Sequence, residues 1–158
     1  MKTLPDGTNL RVGAGSPWGM IQTTQELGAG VWSITTASHG GIVLDEDRRV
    51  EVAEMFPNFK AWVGDGRYLE EDLDWRIAAL AFPECFTKDD CGNAIRGAEV
   101  DHKSRNYYRI ATEWFCSAAA GPVYMRAGMT QPKLAADLAP IPPQPGAGPM
   151  LQPADFQA

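Results

Sequence analysis

Beyond Trp18 the chain carries short runs in which apolar and β-branched residues partly alternate with polar ones. The first is G-M-I-Q-T-T-Q-E-L and the second V-W-S-I-T-T, with G-A-G between them. A period of two puts alternate side chains on opposite faces of a strand, and Gly28 and Gly30 supply a turn, so the pattern predicts a hairpin or meander. A third short strand, residues 42–44, follows the turn signal Gly40-Gly41. After Leu44 the period changes. Asp45 predicts an N-cap, with acids in the first turn, for a helix near 46–55 that stops before Pro57. Leu69, Leu73, Ile77 and Leu80 recur at i, i+4, i+8 and i+11 ahead of Pro83 and predict a helix over 69–82. Tyr107, Ala111, Trp114, Phe115 and Ala118 predict another over 104–120, ended by Gly121-Pro122. The stretch between those two helices, P-E-C-F-T-K-D-D-C-G-N-A-I-R-G, reads as irregular. Strands first and helices after them predict an α+β fold, a small antiparallel sheet of about residues 18–44 packed against the three helices.

The flanks are different in kind. Residues 1–17 are rich in Gly, Pro, Asn and Ser and read as an extended lead-in. Residues 122–158 read as a Pro/Gly-rich tail, with six prolines between positions 140 and 153, unable to build a core and expected to be extended. The organisation expected is therefore one globular domain over 18–121 between a lead-in and a tail.

A chain of 158 residues with 44% hydrophobic and 22% charged residues suffices for one domain with its own core. The formal net charge of -6 argues against a domain that grips nucleic acid, because phosphate binding needs clustered Lys and Arg. Arg48-Arg49, and His102, Lys103 and Arg105, stand beside acids. Acids cluster at 45–47, 70–74 and 89–90 and can meet a basic groove on a protein partner. The start of the chain has no apolar signal-peptide core and no run is long enough to span a bilayer, so a cytoplasmic location without membrane contact is expected. Cys85, Cys91 and Cys116 form no C-x-x-C and suggest reduced thiols. With His102 they make a zinc set only on paper, since C-x5-C is looser than usual zinc pairs. Neither a metal nor a cofactor is expected, there being no phosphate-binding glycine loop or catalytic motif of a known kind.

The candidate chemistry centres on His39, in T-T-A-S-H-G-G-I-V-L. It reads either as a general base at a strand end, beside a glycine pair that lets a ligand approach the backbone, or as part of a tight connection. On a helical wheel Glu70, Glu71 and Asp74 fall opposite the apolar arc and read as a solvated face. Asp72 shares a flank with Tyr68, Trp75 and Ala79, where an Asp72–Arg76 bridge is expected because an unpaired charge there is costly. The functional alternative is that Asp72, or Glu71 at the edge of that flank, meets His39 across the sheet and orients the imidazole. The catalytic candidates are thus His39, Glu71 and Asp72. The binding candidates are Ser38, His39, Gly40, Gly41, Glu70, Glu71, Asp72, Trp75 and Arg76.

The combination P-W-G at 17–19, T-A-S-H-G-G-I at 36–42, Y-L-E-E-D at 68–72, Trp75 and A-L-A-F-P at 79–83 resembles an uncharacterised family, domain of unknown function 7007. Its members occur in phage, plasmid and proteobacterial proteins. The resemblance covers roughly residues 18–86. It implies that the S-H-G-G segment and the E-E-D-x-x-W segment belong together, and it carries no established activity. Such an origin points to an accessory protein that binds a larger protein partner, such as a host defence complex. The alternatives are a small hydrolase or transferase using His39 with Glu71 or Asp72, and a phage virion component. In the tail, Ile141, Met150, Leu151 and Phe156 offer apolar anchors for a partner.

Overall fold

The computed structural model describes residues 3–4, 7–104 and 110–138. The fold is α+β. A short hairpin, β1 (Gly15–Ser16) and β2 (Gly19–Met20), leads into a four-stranded antiparallel sheet. Its strands β3 (Thr23–Gly28), β4 (Val31–Thr35) and β5 (Gly40–Leu44) run in chain order, with β6 (Tyr68–Glu70) added beyond β5. Helix α1 (Glu46–Met55) lies between β5 and β6. After β6 come α2 (Trp75–Ala81), a 3-10 turn (Pro83–Cys85), α3 (Lys88–Ser104), the single turn α4 (Thr112–Phe115) and α5 (Gly121–Ala127). A second 3-10 turn covers Ala135–Leu138.

Side-chain alternation divides the sheet into two faces. Val31, Ile42, Leu44 and Leu69 point to one side, where they meet Ile77, Leu80, Ile95, Phe115 and Val123 from the helices in the main core. Trp32, Ile34 and Val43 point to the other and pack on Leu4, Leu10 and Ile21. The described part of the lead-in is therefore a cover over the outer face of the sheet. Arg67 ties it down, donating from Nη1 to Thr8 Oγ1 at 2.8 Å and from Nη2 to Glu46 Oε2 at 3.2 Å. Arg49, with Arg67 beyond it, holds the Glu46 carboxyl down at about 2.

Helix α1 begins where the sequence predicts, with the Asp45 side chain accepting from Arg48 N–H at 2.9 Å. Gly30, in the β3–β4 turn, has φ 76°, and a side chain there would run into the Asp45 carboxylate.

Two helical expectations are corrected. Residues 68–70 are strand, not helix: Leu69 pairs with Ile42 and Tyr68 with Val43. The Glu70 carboxylate then takes the N–H groups of Asp72, Leu73 and Asp74, at 2.7, 2.6 and 3.0 Å, and makes a turn from which α2 starts at Trp75. Leu69 satisfies either period, so the apolar stripe is helical only from Ile77 to Leu80. The helix expected over 104–120 is also absent as such. Residues 105–109 lie outside the described chain, and α4 ends by Cys116. Gln131 Nε2 donates to the carbonyls of Phe115 and Ser117 at 3.0 and 2.7 Å, using acceptors that a continuing helix would need.

The long C-terminal helix is α3 instead, in the stretch read as irregular. Thr87 and Asp90 form a reciprocal capping box: Asp90 N–H donates to Thr87 Oγ1 at 3.1 Å, and Thr87 N–H to Asp90 Oδ2 at 3.4 Å. Cys91, Ala94, Ile95 and Ala98 are buried, at i, i+3, i+4 and i+7, and their small size lets α2 lie close. The core also continues past Gly121, since Val123, Tyr124 and Leu138 are buried in it although they fall in the stretch expected as tail. Residues 139–158, with the six prolines between positions 140 and 153 and the four apolar anchors of the tail, lie outside the described residues. No helix among the described residues is long and apolar enough to cross a membrane.

Candidate functional site

The two segments singled out in the sequence lie side by side. Residues 36–39 close the β4–β5 hairpin. The buried Thr36 donates its N–H to the His39 carbonyl at 2.7 Å and accepts His39 N–H on its hydroxyl at 3.2 Å. The turn is thus made by Thr36 and the exposed Ala37 and Ser38, not by the glycines that follow. Gly40 and Gly41 are strand residues, paired with Thr35 and Ile34, and Gly41 is also paired with Glu70. Their smallness serves close approach. A Cβ on Gly40 would lie 2.8 Å from the Ile34 carbonyl, and one on Gly41 would strike the Leu69 carbonyl and sit 2.7 Å from Trp18 Cη2.

Glu71 N–H donates to the Gly40 carbonyl at 3.0 Å, and its carboxylate reaches His39, with Oε1 3.7 Å from Nδ1. His39 and Glu71 therefore meet, both about half exposed. Asp72 does not join them. It is exposed in the turn before α2, so the i,i+4 bridge to Arg76 that a helix over 69–82 required does not form. The Arg76 guanidinium instead lies over Gly97 on α3, where a Cβ would be 2.6 Å from Nη1. Glu70 is used within its own turn.

Asp74 departs furthest from expectation. It was assigned to a solvated face and is only 1% exposed. Its Oδ2 accepts Trp62 N–H at 2.8 Å, holding the 59–66 loop against the start of α2. Burial pushes its carboxyl up to about 7, with the Glu70 charge adding to the rise and the Trp62 hydrogen bond opposing it.

Two hollows flank the His39–Glu71 contact. The larger, about 460 Å3, lies on the helix-facing side of the sheet. The helices cover only the Val31–Leu44 end of that face. Toward the other end the alternation turns polar, and Gln25, Ser33 and Thr35 form an open floor. Trp75 and Phe86, with ring centroids 6.3 Å apart, form one wall, and Glu71 and Asp90 reach the rim. Arg126 fixes this wall by donating from Nε and Nη2 to the Phe86 carbonyl at 3.1 and 3.0 Å. Cys85 also lines the groove, flush against Gly28, and burial raises its thiol above the ordinary range, which disfavours a thiolate nucleophile. The smaller hollow, about 420 Å3, lies between Trp18, Trp62 and Leu73, with His39 and Asp72 at its edge. Among the described residues no three His, Cys, Asp or Glu side chains gather as metal ligands do.

The floor residues Gln25, Ser33 and Thr35 were not singled out from sequence. Their only signal is that Trp32 and Ile34 bury one face of β4 while the alternate positions turn from Val31 to Ser33 and Thr35. Phe86 was hidden in the stretch read as irregular, and Asp90 was noted there only as half of an acid pair. The T-K-D-D capping box was their legible trace.

The family model described as a domain of unknown function (DUF7007) matches residues 11–131, and the chain belongs to that family. The match extends well past residue 86, taking in α3, α4 and α5 together with the groove and both segments around it. No curated protein and no solved structure matches the chain significantly.

Proposed function

We propose that this is an accessory protein of the phage or mobile-element type that acts in the cytoplasm by binding a larger protein partner, and that the groove is where the partner docks. One observation carries the reading. Half of one sheet face is left open beside a helical layer that seals the other half, and the open half combines hydroxyl and amide groups with an aromatic wall. Apolar walls with a few convergent polar groups characterise binding sites. The acid clusters support it less than the sequence suggests. Asp45 and Asp90 cap helices, Glu46 pairs with Arg49, Glu70 holds a turn and Asp74 is buried, so recognition falls to the groove and its rim rather than to a broad negative surface.

The test is photo-crosslinking in bacterial cells that express the protein, with benzoylphenylalanine placed at Thr35 on the groove floor or at Val50 on exposed α1. A discrete protein adduct at Thr35 and none at Val50 is expected. Adducts that are equal at both positions, or missing at Thr35, would remove the groove as the docking surface. The His39–Glu71 contact favours a second reading, a small hydrolase or transferase in which Glu71 orients the imidazole. Turnover of a small substrate by purified protein, lost in His39→Ala, would establish that reading instead.

A further inference from the structure

The chemistry of the groove narrows what part of a partner it takes. Two carboxylates, Glu71 and Asp90, belong to its lining, and among the described residues no Lys, Arg or His does. His39 stands 3.7 Å from Glu71 on the side of the smaller hollow and is more than half exposed, while the Arg126 guanidinium is engaged by the Phe86 carbonyl. Among the described residues the Asp90 carboxylate accepts one hydrogen bond, from the backbone N–H of Thr87 at 3.4 Å, so its acceptor capacity is not exhausted. Trp75 and Phe86 line the same groove, and the floor offers the Ser33 hydroxyl, the Gln25 amide and the Thr35 hydroxyl, which also bonds to Thr23 at 2.6 Å. An indole face attracts a cation, a guanidinium stacks on it while donating in its own plane, and carboxylates accept those donors pairwise.

We propose that the groove recognises an extended segment of the partner through an arginine side chain laid against Trp75, with its guanidinium shared between Glu71 and Asp90. The inference rests on the reading of the groove as the docking surface. It adds what enters: a basic segment inserts into this protein, with the indole and the two acids supplying selectivity. A neutral side chain of similar length leaves the remaining acceptor sites of both carboxylates to water, and an acidic one faces them directly.

The test uses two synthetic pools of blocked heptapeptides, Ac-XXXRXXX-NH2 and Ac-XXXQXXX-NH2, with X drawn from uncharged residues other than Cys. Each is titrated into the full 15N-labelled chain while the Trp75 indole signal and the Ser33 and Thr35 amide signals are followed. The arginine pool is expected to move all three with an apparent Kd roughly three- to tenfold lower than the glutamine pool, the range of a partly exposed cation–π contact joined to an ion pair. Glu71→Gln and Asp90→Asn, the latter keeping a helix-capping side chain, should each erase most of that difference. Raising salt on the unmodified chain should erase it too, so the result does not depend on variants that fold. Equal movement by both pools overturns the arginine proposal and leaves the groove reading standing. Movement by neither pool overturns the proposal and the groove reading together.

Discussion

The helix-facing side of the sheet has two ends built on opposite plans. At one, Val31, Leu44 and Leu69 meet Ile77, Leu80 and Phe82 with almost no exposed surface. At the other, Ser33, Thr35 and Gln25 continue the same strands but join neither core cluster, the Thr35 hydroxyl bonding across the sheet to Thr23 at 2.6 Å, although Trp75 and Phe86 line the same groove. A single strand, β4, passes from one plan to the other within three alternate positions, Val31, Ser33 and Thr35. A sheet that only needed to fold would gain by continuing the apolar row under the helices. Stability is thus concentrated at one end, and at the other the fold holds walls apart over a polar floor.

Because the sealed end carries the stability, the contrast is broken most severely there. Ile77→Ala removes a side chain with no exposed surface and should destabilise the protein by about 3 kcal/mol, within the usual span for buried aliphatic truncations, as read from the midpoint of denaturant unfolding. Gly41→Val attacks the seam between β5 and β6. Its side chain would overlap the Leu69 carbonyl and crowd Trp18, so a loss of about 2 kcal/mol, together with a displaced His39–Glu71 contact, is expected. The expected readouts are a lowered melting temperature and changed His39 ring NMR shifts.

The pH profile sharpens the comparison in a different way, because Asp74 is a buried charge at the junction of the two plans. Its carboxyl titrates near 7 in the folded state and near the ordinary 3.8 when unfolded, so the folded form holds the proton more tightly. That contribution is complete below about pH 4, declines between about 4 and 7 and is gone above. Stability should therefore fall by up to about 4 kcal/mol across that window, and Asp74→Asn should flatten the fall. Melting temperatures measured from pH 4 to 8 decide it, and a profile unchanged by the substitution would refute the assignment. The smallest effect belongs to the open end. Ser33→Ala on the floor should change stability by less than about 0.5 kcal/mol, since Ser33 belongs to neither core cluster.

Much of this was readable in the residues, and the failures have physical causes. The hairpin from β3 to β4 and the Asp45 cap were legible because their signals are local. Leu69 was not, because one leucine serves a strand or a helix equally, and what decides is pairing with Ile42, a long-range event. The helix α3 was missed because Gly92 and Gly97 read as breakers and its buried face is mostly Ala and Cys. Gly97 is there to admit the Arg76 guanidinium, a demand set by another helix. At the candidate site the proximity of His39 and Glu71 was legible, whereas Asp72 was misplaced by carrying the helix six residues too far back. The groove itself was not legible. Its floor and its wall come from segments some fifty residues apart, and only the tertiary packing makes them one surface.

The central claim, that the open end is kept open to receive a partner, is tested most directly by closing it. Thr35→Trp places an indole on the groove floor at an exposed, strand-compatible position, so the fold should persist with an unchanged melting temperature. The measurement is the affinity for the partner recovered by crosslinking, wild type against Thr35→Trp, by isothermal titration. A loss of at least about tenfold, or 1.4 kcal/mol, is predicted. Equal affinity in a fully folded variant would contradict the account.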